Sequence, residues 1–283
     1  ANGVVPSGWA RDALEPGSVV DVDGVATLYA TATASDGRTH VVALQPSGDA
    51  TDPESTWSIV EPFDAIDSDL APAGTSATDP VVVQDADGYV MFYGLLRNGT
   101  TRIKRATSDD GLNWTAEAGD VVASGEDGGW DTSQLPHSIE LTASGATLWY
   151  AGDDTSRFRI GAATATDLRG RFQASPAEFD PWRFGTGIAG SFDDSGVKDP
   201  LVLTIGGERH LYYSGFDGET WHLGHAVYDG STFVRRVADT GAAEAGEEEQ
   251  SLSAHSGLLN TFSAQGVESP VLLARSDTSL GER

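Results

Sequence analysis

Residues 192 to 203 read F-D-D-S-G-V-K-D-P-L-V-L, from Phe192 to Leu203, and weaker copies of this stretch recur along the chain. Laid on one register, Pro200 matches Pro80 in A-T-D-P-V-V-V, Ser138 in L-P-H-S-I-E-L, Pro270 in V-E-S-P-V-L-L and Gly17 in L-E-P-G-S-V-V. The place of Asp199 is then taken by Pro16, Asp79, His137 and Ser269, and the place before it by Glu15, Thr78, Pro136, Lys198 and Glu268. An aromatic residue stands at one fixed distance ahead of three of the copies, Trp9, Trp130 and Phe192. The spacing is roughly 60 residues, in the range where repeats mean propeller blades or solenoid coils.

Between the copies run short alternating apolar segments cut by Gly, Asp and Asn, with no sustained helical period. The first unit offers S-V-V-D-V and V-A-T-L-Y joined at Asp23-Gly24, then T-H-V-V-A-L-Q and S-T-W-S-I-V. The second has P-V-V-V-Q, a turn at Asp87-Gly88, Y-V-M-F-Y-G, R-I-K-R-A-T-S and D-V-V-A. The third and fourth repeat the plan and end on P-W-R-F and T-F-V-R-R-V. Four strands per unit make a propeller blade; solenoid coils are shorter, and a sandwich would not keep one turn at one offset. The expectation is an all-β, single-domain, five-bladed β-propeller with blades near 15–60, 78–124, 136–184, 198–238, and 268–283 together with 1–9. The last blade looks incomplete, because P-V-L-L-A-R stops where the fourth unit continues H-L-Y-Y. The chain therefore reads as a fragment or one half of a cleaved protein.

Seventeen basic residues stand against 43 acidic ones. Nucleic acids and anionic membranes need basic patches, so neither is an expected partner. The acidic excess reads as a solubilising surface of a secreted or cell-surface protein. Cysteine is absent, which removes disulfides and thiol chemistry. Asp21-Val-Asp23-Gly24 and Asp85-Ala-Asp87-Gly88 resemble halves of a calcium loop but lack the Glu that would close one, and read as hairpin turns.

In a four-stranded blade the start of the first strand, the loop from second to third strand and the connection to the next blade share one face. Glu15, Asp79, His137, Asp199 and Glu268 would ring the channel there, one from each blade. Like charges crowded together raise one another's pKa, and function is the commonest reason to keep them so. An Asp before Pro also has a plain structural use, accepting backbone N–H bonds at a strand start. His137 reads equally as a packed channel residue or a ligand contact, and Glu140, facing away from it, as structural. Same-face loops carry Arg97, Asp153, Asp154, Arg157, Phe216, Asp217, Glu219 and Trp221, groups suited to the apolar faces and hydroxyls of sugar rings. Arg157, Trp221, Asp153 and Phe216, with His137, are the expected substrate contacts, whereas Trp130 and Phe192 read as packing anchors between blades. No metal ligand set is assigned; calcium held in the central channel by His137 and waters is the one cofactor considered. The acidic run Glu247 to Glu249 reads as a solvated loop.

With these residues in view the chain resembles the five-bladed β-propeller glycoside hydrolases, the group of arabinanases, xylosidases, arabinofuranosidases and invertases. The resemblance rests on T-D-P-V-V-V, V-K-D-P-L-V-L, A-T-S-D-D-G-L-N-W at 106–114, L-Y-Y-S-G at 211–215 and V-E-S-P-V at 267–271. It implies a base or nucleophile, a carboxylate that tunes and orients, and a Glu acid in an E-x-P setting, on three consecutive blades. Glu268-Ser269-Pro270 fits the acid and Asp199-Pro200 the tuner, while His137 stands where the base Asp belongs. Counted from the N-terminus, Glu15 falls at the base, Asp79-Pro80 at the tuner, and Pro136-His137 at the acid. The implied activity is cleavage of a glycosidic bond in a plant or microbial oligo- or polysaccharide, with Glu268 as acid, Asp199 as tuner, and Asp79 or Glu15 as base. Two rivals remain: a non-catalytic carbohydrate-binding or scaffold propeller, and phosphorolysis, for which Arg157, Arg159 and Lys198 are the only nearby anion ligands.

Overall fold

A computed structural model describes residues 9–34, 36–50, 52, 54–60, 72–123, 129–174 and 184–236, of which 9–13 by backbone only. Of the expected fifth blade, 268–283 with 1–9, only Trp9 is among the described residues, and it pairs with Ala34 in the first blade instead; Glu268 and Glu247 to Glu249 lie outside the described residues. The described residues form sixteen strands in four antiparallel sheets of four. Blade 1 holds β1 (Trp9–Val22), β2 (Val25–Ala34), β3 (Thr39–Pro46) and β4 (Trp57–Ile59). Blade 2 holds β5 (Ser76–Asp85), β6 (Gly88–Arg97), β7 (Thr100–Ser108) and β8 (Thr115–Ala116). Blade 3 holds β9 (Ser133–Thr142), β10 (Gly145–Asp153), β11 (Phe158–Ala165) and β12 (Gln173–Ala174). Blade 4 holds β13 (Gly196–Ile205), β14 (Glu208–Phe216), β15 (Trp221–Tyr228) and β16 (Phe233–Arg235). The four blades stand in a propeller arrangement.

The first strands β1, β5, β9 and β13 are neighbours in that order and line the channel. Period-two alternation gives every inner blade two apolar faces, so the core is a set of sandwiches between blades. Val22, Tyr29 and Val41 of blade 1 meet Val82, Met91 and Tyr93 of blade 2. Val90, Phe92 and Ile103 of blade 2 meet Leu148, Tyr150 and Phe172 of blade 3. Trp149 and Ile160 of blade 3 meet Val202, Leu211 and Tyr213 of blade 4. The anchors expected from their fixed offset belong to these sandwiches. Trp130 stacks on Tyr150 at 5.6 Å and Phe192 on Tyr213 at 6.0 Å, each over a glycine, Gly152 or Gly215, that leaves room for the ring.

Polar links fasten the same interfaces. Tyr29 donates to the Gly111 carbonyl, Arg169 pairs with Asp85 at 3.0 Å, and Arg209 holds Glu140 through two bonds at 3.0 and 2.5 Å. Glu140 is thus a structural residue, as its strand parity implied. In A-T-S-D-D-G-L-N-W, Asp110 accepts from the N–H groups of Leu112 and Asn113, the Asn113 amide and the Ser108 hydroxyl. Those donors hold its carboxyl down at about 2, and the loop they shape seats buried Trp114 against Tyr29.

Two strand assignments need correction. The fourth strand of blade 2 is Thr115–Ala116, upstream of D-V-V-A, where only Val122 forms an isolated bridge, to Phe172. Gly119, with φ at 95°, interrupts the edge before Val121 resumes pairing with Ile103. In blade 3 the fourth strand is Gln173–Ala174; of P-W-R-F, Phe184 bridges Ile160 and residues 181–183 lie outside the description. Outermost strands have one neighbour and few bonds, so a breaker divides them. The second-blade turn also shifts by one residue, to Ala86-Asp87, with Asp85 pairing Gly88. Asp23-Gly24 turns as expected, both residues at positive φ. Asp21 and Asp85 cap their hairpins by accepting N–H bonds from Gly24 and Asp87.

The copies share one irregularity. Each channel strand carries a β-bulge at the aligned position: between Pro16 and Ser18, between Thr78 and Val81, at His137, and between Lys198 and Leu201. A bulge adds a residue to one strand and re-aims its side chain. Gly17, at the bulge of blade 1, passes so close to blade 2 that a Cβ there would lie 2.3 Å from the Pro80 carbonyl oxygen. Gly17→Ala is therefore expected to destabilise the protein by about 1–3 kcal/mol, the usual cost of overpacking. An unchanged thermal midpoint would show that blades 1 and 2 separate freely at their bulges.

Candidate functional site

Asp79 and Asp199 occupy the bulges of blades 2 and 4 in left-handed backbone, with φ at 52° and 54°. Both precede proline, which itself disfavours helical backbone in the residue before it. The other non-glycine residues at positive φ, among those described, are Asp23, Asn98 and Thr155, all in tight turns. Aspartate tolerates this region better than most residues, yet two such conformations inside strands are held by their surroundings. The Asp79 N–H donates to Thr31 Oγ1 of blade 1 at 2.8 Å, and Thr78 Oγ1 donates to Asp79 Oδ2 at 2.8 Å. Neighbouring channel strands are tied here as well, through Ser18 Oγ to the Pro80 carbonyl at 3.2 Å and Ser138 Oγ to the Pro200 carbonyl at 2.7 Å.

The bulges converge on one narrow cavity at the mouth of the channel, ≈ 20 Å³ in volume, room for about one water. Glu15, Asp79, His137 and Asp199, one from each described blade, line it together with Pro16, Pro80, Pro136 and Pro200. Asp199 is buried, at 4 % exposure, and its Oδ1 lies 3.3 Å from His137 Nε2. The two are close but not aligned as a hydrogen bond, so the buried Nε2 has no hydrogen-bond partner. Lys198 Nζ lies 3.7 Å from Asp199 Oδ2 on the other side. Burial is the main force on Asp79 and pushes its carboxyl above the usual range; Asp199 adds to the rise, while His137, Thr78 and Lys198 oppose it. A carboxyl that resists losing its proton, next to a second carboxyl set between two basic groups, is the asymmetry on which acid/base pairs are built.

None of the remaining expected contacts, Arg157, Trp221, Asp153 and Phe216, lines this cavity. Phe216 and Trp221 stack at 4.8 Å at the end of the β14–β15 hairpin, and Trp221 is linked to the cavity residue Asp199 through Lys198, whose Nζ lies 4.3 Å over the indole ring and 3.7 Å from Asp199 Oδ2. Asp153 and Asp154 shape the β10–β11 turn by accepting N–H bonds from Thr155, Ser156 and Arg157. Burial raises the Asp153 carboxyl, and Asp154, paired with Arg159 at 2.6 Å, stays well below the ordinary range. Arg157 is exposed on the same turn. Glu268 lies outside the described residues. As for calcium, no group of three or more histidine or acidic side chains converges as a ligand set among the described residues. His137 with Asp199 does not make a shell by itself.

Sequence reasoning placed Lys198 only as a phosphate ligand and gave no role to Thr31. The lysine had a signal, since it directly precedes Asp199; Thr31, from another blade, had none.

No family model and no curated protein matches the chain. Solved structures do. A glycosyl hydrolase from Bacteroides ovatus superposes with a TM-score of 0.58 at 17% identity, over 81% of this chain and 71% of its own. A structure from the family of mannoside phosphorylases that contains glycoside hydrolases targeting β-1,2 mannosidic linkages in Candida mannan gives 0.56 at 18%, over 80% and 70%. A family 117 glycoside hydrolase produced by the marine bacterium Zobellia galactanivorans gives 0.56 at 16%, over 79% and 68%. At such identities the likeness is one of fold, and the chain has the propeller fold found among glycoside hydrolases.

Proposed function

We propose that the protein is a glycoside hydrolase that cleaves an oligo- or polysaccharide at the channel mouth by carboxyl acid/base chemistry. The observation that carries this reading is the pair of left-handed aspartates, Asp79 and Asp199, held at equivalent bulges and opening into one cavity with His137. Strained backbone repeated at a cavity is a mark of a working site. In the reaction a carboxylic acid protonates the glycosidic oxygen as its bond to the anomeric carbon breaks, and water, losing a proton to a base, adds to that carbon. Among the described residues Asp79 is the carboxyl best placed to hold a proton. Asp199 with His137 is the basic partner, the buried Nε2 lying 3.3 Å from Asp199 Oδ1. The sequence resemblance instead gives the acid's part to Glu268, and substitution separates the two.

The decisive experiment is release of reducing sugar from arabinan, xylan, fructan and galactan by wild type and Asp199→Asn. Wild type is expected to hydrolyse one of them, and the variant to lose about 10²–10⁴-fold in rate, the usual worth of a positioned acid or base, with its thermal melt intact. Binding without hydrolysis would instead identify a carbohydrate-binding propeller. We also place the protein outside the cell, on its acid-rich composition; finding it in the cell lysate and not in the culture medium would refute that.

A further inference from the structure

Lys198 is one of only two lysines in the chain, the other being Lys104. Its Nζ lies 4.3 Å from the centroid of the Trp221 ring and 3.7 Å from Asp199 Oδ2, with the side chain 18% exposed. A lysine at a channel mouth ordinarily extends its ammonium into water. Here the indole itself is fixed, stacked on Phe216 at 4.8 Å and tilted against Phe158 of blade 3 at 6.5 Å. Strand register makes the arrangement rigid: Gly196, two residues ahead of Lys198, pairs with Phe216, and Phe216 pairs with Trp221. A cation over an aromatic face is attracted by the ring's negative π cloud, more strongly as water is excluded. The ring of carboxyls, for its part, needs a counter-charge to relieve like-charge repulsion.

We propose that Trp221 is a positioning residue, whose indole face holds the Lys198 ammonium against Asp199 and so fixes a counter-charge inside the candidate catalytic ring. The inference rests on the hydrolase reading for its consequence, but its geometry stands apart from activity. The indole face covered by Lys198 is then not a platform for a sugar ring, and Trp221 acts through Lys198. Removing either member leaves the acidic ring less compensated, so protonation extends to higher pH and the acidic limb of the pH–rate profile moves upward.

Two lysines in one chain make the test direct. Reductive methylation followed by peptide mass spectrometry reads Lys198, with Lys104, ion-paired to Asp120 at 2.6 Å, as internal control. Trp221→Leu is expected to speed methylation of Lys198 about threefold or more while Lys104 is unchanged, and Trp221→Phe, which keeps a π face, to speed it much less. Asp199→Asn, releasing the other side of the ammonium, should also speed it and serves if Trp221→Leu fails to fold. Equal Lys198 rates in wild type and these variants, or identical behaviour of Phe and Leu, would overturn the positioning. On a hydrolysed glycan, Lys198→Met and Trp221→Leu should raise the acidic limb and Trp221→Phe leave it in place; an unmoved limb overturns the catalytic consequence. Expected labelling with no hydrolysis of any glycan by wild type would refute the hydrolase reading and leave the clamp standing.

Discussion

Asp79→Asn is expected to lower glycan hydrolysis about 10²–10⁴-fold and, in the same protein, to raise the thermal midpoint at neutral pH. Both halves follow from one fact, that the folded protein disfavours the ionised form of this carboxyl, chiefly through burial. The amide has the same shape, accepts the Thr78 hydroxyl through its oxygen, and tolerates left-handed backbone as well as aspartate does. It has no charge to desolvate. The pH dependence has a definite sign. With the folded pKa raised above the unfolded value near 3.9, the penalty is absent below about pH 4. It grows as pH rises towards the folded pKa, because the folded state keeps a proton that the unfolded state has lost. Wild type and variant should therefore melt together in acid and diverge towards neutrality, the variant higher. Calorimetry from pH 4 to 8 measures this. A variant that melts lower at pH 7 would make Asp79 a structural cap that the fold wants ionised. Glu268→Gln completes the comparison: if it abolishes turnover and Asp79→Asn only slows it, the acid is the residue the resemblance named.

The repeat was legible because each channel strand carries the same bulge at the same place. Pro200, Pro80, Ser138 and Gly17 aligned in sequence since each stands at the position where a strand must accept one extra residue and pass close to its neighbour. Asp79 and Asp199 were legible for the same reason, being the residues that the bulge turns into the cavity. Short edge strands were not: D-V-V-A and P-W-R-F have the composition of strands, but an outermost strand has one partner, and Gly119 was enough to divide the first. Contacts between blades were the other blind spot. Thr31 reaches Asp79 across an interface, and Trp221 meets Lys198 from a hairpin end that no local pattern ties to the D-P motif. Asp131 and Asp193 show the intermediate case. Each directly follows an aromatic anchor, Trp130 or Phe192, at one offset, and that coincidence was visible although its purpose was not.

That purpose yields the second large expectation, that Asp193→Ala destabilises the protein by about 3–5 kcal/mol, the cost of stranding one partner of a buried ion pair. Asp193 is fully buried and accepts from Arg235 Nε at 2.6 Å, Tyr213 Oη at 2.9 Å and Ser191 Oγ at 2.8 Å. Arg235, its side chain 20% exposed, lies 4.0 Å over the Phe184 ring and donates to the Gly185 carbonyl, contacts that keep it beside the vacated position when its carboxylate is removed. Asp131 is the matched control. It is buried too, but its partners are neutral, Gln134 at 3.0 Å and Tyr150 at 3.1 Å. Asp131→Ala leaves unsatisfied dipoles and no charge, for which about 1–3 kcal/mol is the expected loss. Denaturant titrations at pH 7 compare the two directly, provided the slope with denaturant is unchanged. Equal losses would mean that the Arg235 charge contributes nothing and that packing under the aromatic anchor is the whole effect. A larger loss at Asp193 ties stability to function, because the segment it fastens, Phe184 to Ser195, leads directly into β13. Loosening that segment frees the strand that carries Lys198 and Asp199, so Asp193→Ala should lower activity in proportion to the disorder it introduces at the channel mouth. Asp131→Ala loosens the matching lead into β9, which carries His137 and the Ser138 hydroxyl bonded to the Pro200 carbonyl, so it should lower activity too, but less, in step with its smaller loss of stability.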